Sequence, residues 1–248
     1  MLRKKAPVPP PQEELGVIGR KWLLCPFIQQ HQVEEIIRSC EWCGGYFSLC
    51  CVHPLSGQNN QRDSHVCHHR SLVFTDGACL KNGKEEARAG YGVVVGTAED
   101  QSCSLPFEDE HVTSQRAELI GAYEGIVKGM KHFRERKTHP MPVAQEKRTE
   151  LVIATDSEYV VAGMTEWLPK WKAKGFKNSS GKTPSNLDLF LKIDEKIKEL
   201  EEPEDIVIGF WHVPRKYNVL ADRLAKAAAE RPVEPVTQAE VSGQHVDK

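Results

Sequence analysis

An α/β fold is predicted for the chain from about residue 70 to 230, and three observations predict it. Strand-like apolar runs recur between runs with helical three-and-four spacing. Turn and cap residues stand at the junctions. Six of the eight cysteines (Cys25, Cys40, Cys43, Cys50, Cys51, Cys67) precede Ser71, so sequence texture changes there.

Ser71–Asp76 reads as the first strand, and Asn82–Arg88 as a turn-rich stretch. Tyr91–Gly96 is a second strand and Ser102–Phe107 a third. In Thr113–Phe133 the residues Ala117, Ile120, Tyr123, Val127 and Met130 recur every three or four positions, the signature of an amphipathic helix. Pro140 and Pro142 mark Thr138–Glu150 as a connection. Leu151–Thr155, apolar and short, reads as a buried central strand closed by Asp156. Helical runs follow at Glu158–Trp167 and Asn186–Leu200, then a last strand at Ile206–Val213. Asn218 is placed to cap a final helix reaching Glu230.

Outside this unit, residues 1–20 read as a flexible basic and proline-rich leader, 21–69 as a Cys/His-rich region and 231–248 as a disordered tail. The start lacks the apolar stretch of a secretory signal, and Glu13 and Glu14 depart from the acid-poor pattern of a mitochondrial presequence. A nuclear or cytoplasmic address is the default, with a mitochondrial one left open. In those compartments the cysteines are reduced thiols or metal ligands rather than disulfides. No apolar run has the roughly 18 residues of a membrane span, so no membrane partner is expected. The charges nearly cancel, 33 Lys plus Arg against 35 Asp plus Glu, a formal net charge of −2. That balance argues against a surface that grips polyanions everywhere, while allowing a local basic patch.

Four acids stand where charge is expensive. Asp76 and Asp156 close strands, Glu118 lies in the first turns of a helix, and Asp222 lies one turn into the last helix. Taken singly, each is as easily a cap or a surface residue. Brought together, they would repel one another unless a divalent cation neutralised them. Hard oxygen donors suit Mg²⁺, with Mn²⁺ as a substitute.

The residues around these acids are also specific: Phe74-Thr75-Asp76-Gly77-Ala78-Cys79, Gly90-Tyr91-Gly92, Thr113-Ser114-Gln115-Arg116-Ala117-Glu118-Leu119, Thr155-Asp156-Ser157-Glu158-Tyr159-Val160, and His212-Val213-Pro214-Arg215 with Asn218 and Ala221-Asp222-Arg223-Leu224-Ala225. In order and spacing they resemble the type 1 ribonuclease H family over about 160 residues. The resemblance implies a five-stranded mixed sheet flanked by helices. It also implies an endoribonuclease that cuts the RNA strand of RNA–DNA hybrids by a two-metal mechanism, leaving 5′-phosphate and 3′-hydroxyl ends; separately, a monomer is the expected state. Asp76, Glu118, Asp156 and Asp222 match the family's metal-binding acids. His212 matches a histidine on a mobile loop that moves a proton or helps product leave. Cys79, Ser114 and Gln115 match positions lining the minor groove, where 2′-hydroxyls distinguish RNA from DNA.

Between Glu166 and Lys182, the residues Lys170, Lys172, Lys174 and Lys177 interleave with Trp167 and Trp171, as a phosphate-tracking surface requires. The alternative is a solvated helix whose tryptophans pack on the core. The stretch resembles the family's basic protrusion, and Asn218 is grouped with the substrate-binding residues. Cys40-Glu41-Trp42-Cys43-Gly44 is a Cys-x-x-Cys-Gly knuckle, for which a structural Zn²⁺ with two further ligands among Cys50, Cys51, His53, Cys67 and His69, His53 and Cys67 foremost, is one expectation and unliganded thiols the other. Two rival functions remain: a binding protein without catalysis, and a related metal-dependent nuclease with a different substrate.

Overall fold

The computed structural model describes residues 16–49, 66–98, 102–107, 112–137 and 148–231. The first fifteen residues of the expected leader, His53, residues 138–147 of the Thr138–Glu150 connection and the expected tail from residue 232 lie outside the described residues.

Among the described residues nine strands form one mixed sheet. Four short ones come from the amino-terminal region: β1 (Val17–Ile18), β2 (Lys21–Trp22), β3 (Ile37–Ser39) and β4 (Tyr46–Ser48). The other five are β5 (Arg70–Leu80), β6 (Arg88–Val94), β7 (Ser102–Phe107), β8 (Thr149–Thr155) and β9 (Ile206–His212). They are the five expected strands. β5 runs four residues past Asp76, because Gly77–Leu80 pair with Arg88–Tyr91 of the antiparallel β6 before the chain turns. β5, β8 and β9 are mutually parallel, with Val73 opposite Ile153 and Ile153 opposite Phe210. Parallel neighbours need covered faces on both sides, and the strand alternation supplies two apolar faces.

One face (Val73, Tyr91, Val93, Leu151, Ile153, Ile208, Phe210) packs under α3 (Ser114–Lys137), α4 (Glu158–Ala162), α5 (Leu168–Ala173) and α6 (Leu187–Glu204). A single π turn, Gly163–Trp167, joins α4 to α5, so the run is one continuous helical stretch. The opposite face (Leu72, Phe74, Val94, Val152, Ala154, Trp211) is covered by Trp22, Cys25, Ile28, Ile36 and Ala221. Those first four residues belong to the amino-terminal region, which includes α1 (Pro26–Gln29) and α2 (Val33–Ile36). Ala221 belongs to α7 (Val219–Glu230).

The Cys/His-rich region is therefore continuous with the sheet, and so is the end of the leader from residue 16. β2 adds to β9 in parallel through Lys21 and Phe210, and β4 adds to β5 through Tyr46–Leu72 and Phe47–Ser71. The physical cause is the second apolar face, which α7 alone does not cover. A buried ion pair reinforces the join: Arg70, 2% exposed, donates through Nε to Glu150 Oε2 at 2.7 Å, while Glu150 Oε1 accepts from the Val17 amide at 3.4 Å.

Close backbone approach sets the rest. A Cβ on Gly77 would sit 2.1 Å from the Ala117 carbonyl carbon and 2.2 Å from the Glu118 nitrogen, so only glycine lets α3 start against β5. At Gly92 a Cβ would meet the Ala221 carbonyl oxygen at 2.3 Å, and the same logic draws α7 onto β6. Glu118 and Asp222 ride on these two helices.

Candidate active site

Asp76 sits mid-strand in β5, and its neighbours identify the site. Burial raises its carboxyl from 3.8 to about 7, and Asp156, Asp222 and Glu118 push in the same direction, only partly offset by the Gly77 amide. Four acids from four elements thus share one electrostatic neighbourhood. Their surroundings differ. Glu118 is raised by burial and by Asp156, against the lowering effect of the Ser157 hydroxyl, which donates to Glu118 Oε2 at 2.6 Å. Ser157 also caps α4 by accepting from the Val160 amide at 3.2 Å, so one hydroxyl ties the α4 start to an α3 carboxylate. Asp222 goes the other way: burial raises it, but hydrogen bonds from Lys226 and Arg215, both at 2.7 Å, hold it below the usual carboxylate range.

Asn218 occupies the expected cap position of α7, but its side chain makes no cap hydrogen bond. Its Nδ2 donates to the Thr75 carbonyl at 3.0 Å and to Asp156 Oδ1 at 2.6 Å, joining β5, β8 and α7 in one residue. His212 ends β9, exposed, with Nε2 3.3 Å from the Asp156 carbonyl oxygen. A carbonyl only accepts, so the nitrogen facing it carries the proton.

Arg215, to which the sequence assigned no role, lies across the cluster. Besides Asp222, its Nε stands 3.9 Å from Asp156 Oδ2. Its charge was legible, but its reach across the 3₁₀ turn at Arg215–Tyr217 was not.

Cys79, Ser114 and Gln115 gather where β5 ends and α3 begins. The Cys79 thiol lies 3.9 Å from the Val112 carbonyl oxygen, and the Ser114 amide 3.3 Å from Asn82 Oδ1. In the basic strip, Lys170, Lys174 and Lys177 are exposed. Lys172 has its charge engaged by Asp194 at 2.6 Å. The tryptophans are half-buried: Trp167 stands 6.1 Å from Trp171, which meets Phe190 at 5.4 Å. Trp171 packs on the core and leaves the lysines to face solvent.

Of the expected thiol and imidazole ligands, Cys40 and Cys43 come together with His68, each offering an atom within 4.8 Å of the others. His53 lies outside the described residues, and Cys67 is not one of this trio. His68 was not among the expected ligands; its neighbour His69 was. In the structure His68 stacks on Phe47 at 4.0 Å and faces the thiols, whereas His69 Nε2 meets the Arg148 carbonyl at 2.9 Å.

The RNase H family profile matches residues 68–230. This chain belongs to the RNase H family. Ribonuclease H of Schizosaccharomyces pombe is 32% identical over 164 residues, covering 66% of this chain and 54% of that protein. Ribonuclease H1 of Mus musculus is 30% identical over 164 residues, 64% of this chain and 50% of the mouse protein. The chain thus spans about half the length of these two relatives. Ribonuclease H of Photorhabdus laumondii is 32% identical over 165 residues, 66% of this chain and 92% of the bacterial protein. A solved PFV RNase H domain is 25% identical, covers 64% of this chain and 93% of its own, and has a TM-score of 0.45. All four acids and His212 fall inside the RNase H segment. His68 is its first residue, and Cys40 and Cys43 precede it. None of the described helices is long and apolar enough to cross a membrane.

Proposed function

We propose that this protein hydrolyses the RNA strand of RNA–DNA hybrids internally, leaving 5′-phosphate and 3′-hydroxyl ends. The observation that carries the reading is the buried Asp76 carboxyl, raised to about 7 with Asp156, Asp222 and Glu118 acting on it. Negative charge gathered in this way is what divalent cations neutralise, and an all-oxygen donor set suits Mg²⁺ or Mn²⁺. Asp76, Glu118, Asp156 and Asp222 would hold the ions. Bound there, a pair of ions supplies an activated water and charge stabilisation at the leaving oxygen.

The chain's own residues do the positioning. Asn218 and Ser157 fix the carboxylates of Asp156 and Glu118 by donating one hydrogen bond to each. His212, exposed at the end of β9, is placed to hand a proton to a departing 3′ oxygen. Cys79, Ser114 and Gln115 lie at the α3 start, suited to the ribose side of a hybrid; hydroxyl and amide groups there can hydrogen-bond 2′-hydroxyls. Lys170, Lys174 and Lys177 supply positive charge for the phosphates of the DNA strand.

The test uses purified protein, Mg²⁺ and end-labelled RNA–DNA, RNA–RNA and DNA–DNA duplexes. Internal cleavage of RNA in the hybrid alone, abolished in a folded Asp156→Asn variant, is expected. Binding without cleavage under Mg²⁺ and Mn²⁺ would make it a binding protein, and cleavage of another duplex would make it a different nuclease.

A further inference from the structure

Cys40 follows β3, and Cys43 sits in the turn before β4. The turn is shaped for inward-facing thiols: Gly44 adopts φ +68°, its amide donates to the Cys40 carbonyl at 2.8 Å, and the Cys40 amide donates to the Gly45 carbonyl at 3.0 Å. Such a knuckle turns two cysteines toward one point. From across the sheet His68 arrives two residues before β5, 7% exposed, with its ring parallel to Phe47 and Nε2 3.9 Å from Cys43 Sγ. A tetrahedral zinc with ordinary bond lengths sets a sulfur–nitrogen edge of about 3.5 Å. The gap therefore closes with a shift of a few tenths of an ångström.

We infer that Cys40, Cys43 and His68 form a structural Zn²⁺ site that clips the β3–β4 hairpin to the foot of β5. Burial holds the Cys43 thiol up, and one neighbouring cation acts the other way. Arg136, 8% exposed, stands over the Phe47 ring at 4.8 Å, and the sulfurs of Cys43, Cys40 and Cys67 all act on its charge. A buried guanidinium is better matched by metal-bound thiolates than by neutral thiols. The site is chemically distinct from the acid cluster, since soft sulfur donors select zinc where carboxylates select magnesium. Because Asp76 lies on the strand that His68 leads into, the clip braces the base of the strand that carries the buried acid.

The full chain is purified without chelator, dialysed against Mg²⁺, and its metal content measured by mass spectrometry. One zinc per chain is expected, retained in Asp156→Asn and lost in Cys43→Ser and His68→Ala. Cobalt exchanged into the wild-type protein reports ligand type directly, because only thiolates give a near-ultraviolet charge-transfer band. That band is expected in wild type and in Asp156→Asn, and is expected to bleach on adding Zn²⁺. The cobalt reading needs no variant to fold. A folded wild-type protein with less than a tenth of an equivalent of zinc and no thiolate–cobalt band would overturn the inference. So would a folded Cys43→Ser variant that keeps both. Neither readout depends on nuclease activity, so failure here is separable from failure of the proposed reaction.

Discussion

The Asn218 amide nitrogen donates at once to the Thr75 carbonyl and to Asp156 Oδ1, the second bond only 2.6 Å long. One neutral side chain thereby sets the rotamer of an active-site acid without adding charge. Asn218 is 1% exposed, so removing it leaves the Thr75 carbonyl without this donor in the interior. Asn218→Ala is expected to cost about 1–3 kcal/mol of stability and to lower kcat at saturating Mg²⁺. Asn218→Asp, which keeps the shape and adds a repelling charge, should lower activity further. Urea denaturation and steady-state cleavage read the two effects separately.

A second expectation concerns pH. Asp76 titrates at about 7 in the folded protein against an ordinary 3.8. Between those values the folded state holds a proton that the unfolded chain has released. Raising the pH across that window therefore costs stability, and the full cost is present above about pH 7. In buffer free of Mg²⁺ and of chelator the protein should be more stable at pH 5 than at pH 8. Asp76→Asn should remove much of the difference, roughly 2–4 kcal/mol. Equal slopes of stability against pH for wild type and variant would refute the assignment.

Arg215 is a cation already lying where divalent ions would compete. Its guanidinium donates to Asp222 at 2.7 Å and stands 3.9 Å from Asp156. Arg215→Ala is expected to tighten Mg²⁺ or Mn²⁺ binding several-fold in calorimetric titration without nucleic acid, since metal no longer displaces a paired side chain. Unchanged affinity would mean that Arg215 swings aside without cost.

The basic strip divides by partner. Lys170, Lys174 and Lys177 face solvent, while Lys172 is bound to Asp194. Alanine at the first three should raise KM with kcat nearly unchanged. It should also flatten the dependence of log affinity on log salt by roughly 0.7–0.9 for each phosphate no longer neutralised. Lys172→Ala should instead cost about 1 kcal/mol in stability and leave the salt dependence alone.

What was legible in the sequence follows from how local each signal is. The unbroken apolar run Leu151–Thr155 and helical spacing from Ala117 to Met130 are written within a few residues, and both elements formed where expected. The four acids were visible because charge at strand ends and helix starts is costly and therefore informative. β1 to β4 were not visible: strands of two or three residues have no period to read, and Lys21 finds its partner at Phe210. Asn218 looked like a cap because cap residues and buried donors share one chemistry; only the fold brings Asp156 within its reach. In the sequence His69 was counted and His68 passed over, because adjacent histidines carry the same local signal; only the fold turns His68 toward the thiols.

The strand that ends at His212 has its outer side dressed by the amino-terminal region. The Arg20 carbonyl accepts from the Phe210 amide at 2.8 Å, Glu201 accepts from the Ile208 amide at 2.7 Å, and Trp22 meets Trp211 edge-on at 4.8 Å. A fragment cut to the family's boundaries, residues 68–230, would strip away Arg20 and Trp22 and leave a bare sheet edge beside an uncovered apolar face. Such an edge is a template for another chain to add to, so the excised piece should self-associate more readily than the longer chain. The family's segment and the stretch of chain that finishes this sheet are different lengths here, and the difference includes the hairpin of Val17–Ile18 and Lys21–Trp22.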